Sequence, residues 1–314
     1  MISNQQIEQM QKKAKVRYTL MCVFAVVIWL AGVALLGYYT FFSGEEMEIS
    51  EKLGLVLALP LGLALGGGYL FYILFVRTAY EQFNLCFKTQ YVMPTVESTG
   101  YFQDLSYNPH LGLSYTEIRD GAVVGCGESR YFHSEDLLKG TYQNIRFHYC
   151  DVKTQYMSRS GKKQEVRTIF EGQVMRFASF NQSKRSFGHL QIFEKEFLSN
   201  LEGWTAQNKI ETEDEAFNKR FQIFAADSHN AFYILTPRML EQITRFADAM
   251  GEQIAITFTG PVMYVAVCRT RSIFDGDVDK PISSQREDIL QDVEMLRKAG
   301  ELLITEMNTI DGNL

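Results

Sequence analysis

Two long uncharged apolar runs stand near the start of the chain, from Tyr18 to about Phe42 and from Leu53 to Val76, with a short acidic loop between them. Each is long enough to cross a bilayer, because about 20 apolar residues at ~1.5 Å rise span the ~30 Å hydrocarbon core. A cleaved leader fits the first run poorly. Leader cores are usually about 7–15 residues, and no small-x-small cleavage site precedes the second run. The flanking charge predicts orientation. Lys12, Lys13, Lys15 and Arg17 precede the pair and Arg77 follows it, whereas Glu45, Glu46, Glu48 and Glu51 face a single Lys52 in the loop. Short-loop Lys/Arg excess stays on the cytoplasmic side, so both termini are expected there and the loop outside. Neither run carries an ionisable residue, and a transport path needs one or a broken polar helix. The hairpin therefore reads as an anchor in the membrane lipid.

Within the second run Gly62 and Gly66 form a small-xxx-small pair, continued by Gly67 and Gly68. Glycines let a neighbouring helix backbone approach closely. The expected neighbour is the first run, around Ala25, Gly32 and Ala34, in preference to a second copy of the chain.

The residues from Arg77 onward are mildly acidic, with 26 Lys and Arg against 32 Asp and Glu. Nucleic-acid binders rely on phosphate neutralisation, so that partner class is not expected. Cys86, Cys126, Cys150 and Cys268 lack paired spacing and are expected as reduced core residues of a cytoplasmic domain. Three parts follow: a cytoplasmic segment 1–17, a transmembrane hairpin 18–76, and one cytoplasmic domain 77–314 with a helical stalk 77–94.

The stalk is read from Tyr80, Phe83, Phe87 and Tyr91, which recur at helical spacing, with Pro94 closing the helix. Beyond it, Ile145, Phe147 and Tyr149 alternate as one strand face. A turn at Ser160-Gly161 leads to a second strand through Val166, Ile169, Phe170, Val174 and Phe177. A polar turn at Asn181 to Ser186 then precedes a third strand around Leu190, Ile192 and Phe193. The spacing predicts an antiparallel meander. Thr212 and Glu215 have capping-box spacing before a short helix, and a strand follows at Arg220 to Ala225. Thr236-Pro237 starts a helix whose face is Met239, Leu240, Ile243, Phe246, Ala247 and Met250, ended by Gly251. Ile254 to Thr259 and Val262 to Cys268 pair across Gly260-Pro261. Ser284 and Glu287 open a last helix carrying Ile289, Leu290, Val293 and Leu296. The fold class expected is α+β: a two-helix transmembrane hairpin followed by an antiparallel-sheet domain packed with helices.

The chemistry is sparse. Gly161-Lys162-Lys163 lacks the glycine and Ser/Thr of a phosphate loop, and neither a GxSxG elbow nor HExxH occurs. Cys126, His133, His148 and Cys150 do not have the paired spacing of a structural zinc site, so no metal is expected. Asp275, Asp277 and Asp279 begin like a calcium loop, but Lys280 stands where the turn needs Gly and Arg286 where a bidentate Glu belongs. Asp227-Ser228-His229 has triad residue types, yet neighbours in sequence do not converge on one reacting atom. Arg159, Lys162 and Lys163 at one predicted hairpin tip, with Lys184 and Arg185 at another, are candidate contacts for an anionic inner leaflet. Each Lys or Arg near such a surface is worth about 1 kcal/mol.

Several stretches resemble the bacterial family known as domain of unknown function 3137: YFHSEDLLKG at Tyr131 to Gly140, TIFEGQVMRF at Thr168 to Phe177, and FQIFAADSHNAFYILTPRMLEQI at Phe221 to Ile243. The strand ending in VAVCRTRSIFD also fits. The resemblance spans most of residues 100–280, with Leu235-Thr236-Pro237 its most specific element. It implies a two-helix anchor ahead of the domain and a bacterial source, sometimes alongside LemA-type membrane proteins. It brings no established activity or catalytic residues. The function expected is a membrane-anchored protein-interaction or scaffold domain in the bacterial inner membrane, with an unidentified protein partner, no cofactor and no nucleic acid. The alternatives are a hydrolase or transferase using residues near His133, His148 or Asp227, and an anionic-lipid sensor.

Overall fold

The computed structural model describes residues 4–42, 49–160, 163–178, 187–198 and 208–311. The chain divides into two compact units, Met1–Tyr91 with Asp275–Arg286, and Val92–Phe274 with Glu287–Leu314.

The first unit is helical. Helix α1 covers Asn4–Phe42 and α2 covers Ile49–Phe71, with a π turn at Tyr72–Val76 leading into α3, Arg77–Phe87. Helices α1 and α2 are long and apolar enough to cross a membrane. Their close contact uses Ala25 and Gly32 of the first run, as expected, but not Gly62 and Gly66 of the second. A Cβ at Gly32 would fall 2.7 Å from the Cβ of Pro60, Gly67 faces Ile28 and Gly68 faces Ala25, while Gly62 and Gly66 have nothing within 4 Å. The proline ring fills the notch that Gly32 leaves, which sets the helix rotation and turns Gly62 and Gly66 outward. Gly32→Leu is therefore expected to part the helices at a cost of about 1–2 kcal/mol, read as a lower unfolding midpoint in detergent. Gly62→Leu should leave the midpoint unchanged. At the other end, Arg17 Nη1 donates to the Phe75 carbonyl at 3.0 Å, inside the π turn.

The first turns of α1 are part of the same continuous helix, and Ile7 and Ala14 are buried. Along α3 and the π turn after it, at Lys88–Val92, the rings of Tyr80, Phe83, Phe87 and Tyr91 run in sequence at 6.5, 5.9 and 5.3 Å between centroids. The segment Asp275–Arg286 straps across these helices. Gly276 sits against Phe83 and Phe87, where a Cβ would fall 2.9 Å from the Phe83 ring, and its N–H donates to Asn84 Oδ1 at 3.0 Å. Lys88, almost wholly buried, pairs with Asp275 at 2.5 Å. Gln11 Nε2 donates to the carbonyls of Asp277 and Lys280, and Lys15 pairs with Asp279 at 2.9 Å. The three aspartates that open like a calcium loop are the strap's fastenings.

Pro94 does not close the helix. A π turn at Lys88–Val92 precedes α4, Met93–Ser98, and the proline lies in the first turn of α4. The wider turn accommodates a ring that lacks an N–H and would clash with an ordinary preceding turn.

The second unit is built on a nine-stranded sheet. Its elements in chain order are β1 Gln103–Asn108, α5 Tyr115–Gly121, β2 His133–Tyr142, β3 Ile145–Ser160, β4 Lys163–Ala178, β5 Phe187–Glu194, α6 Lys195–Leu198, β6 Asn208–Ile210, α7 Glu215–Arg220, β7 Phe221–Ala225, α8 Ser228–Ile234, α9 Pro237–Met250, β8 Ile254–Gly260, β9 Val262–Cys268 and α10 Arg286–Asp311. The strand order is β1-β2-β3-β4-β9-β8-β5-β7-β6, and every neighbouring pair is antiparallel. Mixed helix and antiparallel sheet is the class read from the sequence.

The meander holds from β1 to β4 and then stops. β5 exists where expected but lies away from β4, with β9 and β8 between them. Ile254 to Phe258 and Met263 to Val267 are buried at every position. Strands apolar on both faces belong at a sheet's centre, so this hairpin takes the place beside β4. Helix α9 starts as read, with Thr236 Oγ1 accepting from Met239 N and Gly251 at φ 65° ending it. Helix α7 is capped by Asp214, whose Oδ1 accepts from Phe217 N at 3.0 Å, whereas Thr212 bonds to Asn218. Helix α10 follows a 3-10 turn at Ile282–Gln285, and Ser284 donates back to Pro281. A true capping box, Ser114 with Glu117, opens α5.

Candidate functional site

Successive residues of a strand face opposite sides, and the register of β2, β3 and β4 converts that rule into two rungs of polar side chains. His133, Lys153 and Glu171 align in one rung; Glu135, Asp151 and Gln173 align in the next. With Arg269, Arg271 and Ser272 from the segment after β9 they line a cleft of about 70 Å³. The close approach of β9 to β4 depends on Gly172. A Cβ there would fall 2.1 Å from the Val267 carbonyl oxygen. Gly172→Ala is expected to cost about 2 kcal/mol by forcing these backbones apart, measured by chemical denaturation; a neutral result would mean the strands separate freely there.

The first rung is paired. Lys153 Nζ reaches both Glu171 carboxylate oxygens at 3.0 Å. His133 Nε2 lies 3.3 Å from Glu135 Oε2, which links the rungs at the exposed rim. In the second rung Asp151 Oδ1 accepts from Gln173 Nε2 and its Oδ2 from the Ile273 N–H, both at 2.9 Å. The Ser272 side chain also bonds to it. Burial pushes this acid up to about 7, with Asp136 adding to the rise and the Gln173, Ile273 and Ser272 bonds opposing it. Gln173 Nε2 also donates to the Arg271 carbonyl at 2.8 Å. Two buried groups here have no hydrogen-bond partner, Gln173 Oε1 and the Tyr149 hydroxyl.

A second carboxylate organises the arginines. Asp292 of α10, 1% exposed, accepts from Arg269 Nη1 and Arg271 Nη2, one per oxygen, at 2.8 Å each. Asp288 adds a contact to Arg271 at 3.4 Å. Asp136, fully buried, takes φ 61° in the irregularity between Glu135 and Leu138 and accepts from the Tyr107 hydroxyl.

Among the described residues singled out in the sequence as chemical or lipid-contact candidates, only His133 reaches this cleft, at its rim. His148 and Cys150 share a strand face as expected, but it is the face opposite Asp151. His148 is held below its ordinary value by burial and by Arg176 and Lys139. The Cys150 thiol is pushed up to about 12 by burial and the Cys126 thiol up to about 11. Burial raises Cys86 and Cys268 as well. Asp227 is the N-cap of α8, its Oδ1 accepting from His229 N at 2.9 Å. Among the described residues no three His, Cys, Asp or Glu side chains are placed to hold a metal ion. Arg159 is exposed near the end of the β3–β4 hairpin, opposite Gln164. Lys162, Lys184 and Arg185 lie outside the described residues, as does the side chain of Lys163.

Comparison with known families finds a match in the later part of the sheet unit. Residues 168–308 match the family described as Protein of unknown function (DUF3137). This stretch is similar to that family. No curated protein and no solved structure matches the chain. The matched stretch contains the segments read at 168–177 and 221–243, while the one at 131–140 precedes it. It supplies Glu171, Gln173, Arg269, Arg271 and Asp292 to the cleft and its support. His133, Glu135, Asp151 and Lys153 come from the chain before the matched stretch.

Proposed function

We propose that the protein is held in a bacterial inner membrane by α1 and α2, with both termini in the cytoplasm, and that its sheet unit binds a protein partner rather than catalysing a reaction. The observation that carries the anchoring is uncovered apolar surface. Leu35, Tyr38 and Leu65 are 71%, 69% and 65% exposed, and many of their neighbours on both helices are similarly bare. At about 25 cal/mol per Å² this much apolar surface in water is costly, and lipid removes the cost. The orientation follows the basic residues before α1 and after α2, and the bacterial setting follows the family resemblance. Against thiol catalysis stand the raised cysteines: a nucleophilic cysteine needs its thiolate, which burial disfavours here.

Alkaline carbonate washing of native membranes tests the anchor; the protein should stay in the pellet, and release into the wash refutes it. The partner is tested by purifying the full-length protein in mild detergent and identifying what stays bound. A stoichiometric protein surviving washing is the expected result. Repeated purification with nothing bound, from cells grown under several conditions, overturns the partner reading.

A further inference from the structure

We propose that the cleft on β2, β3 and β4 binds a cationic nitrogen group, an alkylammonium or a guanidinium, through the rung Glu135, Asp151 and Gln173. This goes beyond the anchoring and partner readings, because the group can belong to a free small molecule or to the Lys or Arg tip of a bound protein.

The argument begins with what the rung lacks. Glu135 and Asp151 are direct cross-strand partners, and like charges placed opposite one another on a sheet face repel. The third member, Gln173, is 1% exposed and leaves its Oε1 without a donor. A buried acceptor left unpaired is costly, and native structures rarely leave one without a reason. The cations lining the cleft do not fill this need. Lys153 is engaged by Glu171, while Arg269 and Arg271 are turned onto Asp292 and Asp288.

Protonation of Asp151 removes a charge but leaves Gln173 Oε1 without a donor. Both oxygens of Asp151 already accept hydrogen bonds, so an added proton has no acceptor in the direction of those donors. Burial disfavours the ionised form and the donors disfavour the protonated one. A ligand that brings positive charge and N–H donors relieves both at once and can also pair Gln173 Oε1. The unpartnered Tyr149 hydroxyl lies under the influence of the same carboxylate.

Size and ligand geometry narrow the class. The cleft is small, about 70 Å³, which suits an ammonium or guanidinium head. The described acids do not converge as a metal centre would require.

The test uses the full-length protein in detergent, titrated with n-butylammonium chloride or n-butylguanidinium chloride. Sodium chloride and tetramethylammonium chloride serve as controls at equal ionic strength, the latter a cation without N–H donors. Binding is read by ligand-observed NMR and by the unfolding midpoint. At least one N–H cation is expected to bind saturably where neither control does. Asp151→Asn and Glu135→Gln should each weaken binding about tenfold, the scale of one charge-assisted hydrogen bond. Glu165→Gln, on the exposed end of β4, should leave it unchanged. If Asp151→Asn fails to fold, Glu135→Gln at the partly exposed rim still decides. Short blocked peptides carrying Lys or Arg identify the source: tighter binding than the fragments assigns a protein side chain, and equal or weaker binding a small molecule. Protection by sodium or tetramethylammonium equal to that by the N–H cations overturns the proposal, as does full affinity in the Glu135 variant.

Discussion

Replacing Asp292 with alanine is expected to lower the unfolding free energy by about 3–5 kcal/mol, the range for removing one partner of a buried ion pair. Asp292 is 1% exposed, and each of its oxygens holds a different guanidinium. Without it, Arg269, whose side chain is 22% exposed, keeps its charge and loses its counter-ion in a place water scarcely reaches. Arg271→Ala should cost much less. That side chain is 40% exposed, and Asp292 would retain Arg269. Chemical denaturation of the full-length protein in detergent micelles measures both. A loss below about 1 kcal/mol for Asp292→Ala would mean that the arginines swing into solvent, and that the pair does not support the cleft.

A fall in stability as pH rises from about 4 to about 7 is the second large effect. Burial holds the Asp151 acid near 7 in the folded chain, against an ordinary value of 3.8. Between those values the folded protein keeps a proton that the unfolded chain has released, so folding is favoured most at the acid end of the window. The contribution declines as pH climbs through it and is gone above about 7. At ~1.36 kcal/mol per unit the full shift corresponds to roughly 4 kcal/mol, and opening onto the cleft reduces this to about 3 kcal/mol. Asp292, raised by burial, works the same way, while carboxylates held low work the opposite way. Glu294, held low by its hydrogen bond to Arg297, loses stability as pH falls. The measurement is therefore a comparison of unfolding free energies at pH 5 and 7.5 for the natural protein and Asp151→Asn. The natural protein should lose about 2 kcal/mol more than the variant across that interval, since the window below pH 5 is left out. Parallel behaviour would show that Asp151 ionises freely.

What local spacing encodes was readable. The apolar length of α1 and α2, the alternation along β3, and the Thr-Pro start and Gly stop of α9 all depend on neighbours a few residues apart. Strand order does not. The place of β9 beside β4 is a pairing across some ninety residues of chain, and only the uniform burial of Ile254 to Phe258 and Met263 to Val267 hints at a central position. The cleft was missed for the same reason. Motif searching favours residues close in sequence and drew attention to Asp227-Ser228-His229, where the aspartate turns out to cap a helix. The cleft is assembled from β2, β3, β4 and the end of β9 by register alone. Two signals were nonetheless present. Asp151 and Lys153 continue the face begun by Ile145, Phe147 and Tyr149, and Asp292 interrupts the apolar stripe of Ile289, Val293 and Leu296. A charge on a face otherwise committed to the core must have a partner.

The strap of residues Asp275–Arg286 sets the order in which the protein is completed during synthesis. Helices α1 to α3 leave the ribosome well before the segment that packs on Phe83 and Phe87 and pairs with Lys88 and Lys15. At about 5–20 residues per second, the interval between Tyr91 and Asp275 lasts roughly 10–40 s. Throughout it the apolar stripe of α3 lacks its strap, and a nascent chain stalled before Asp275 holds apolar helices that its own sequence has not yet fastened. The helical unit is made early and finished late.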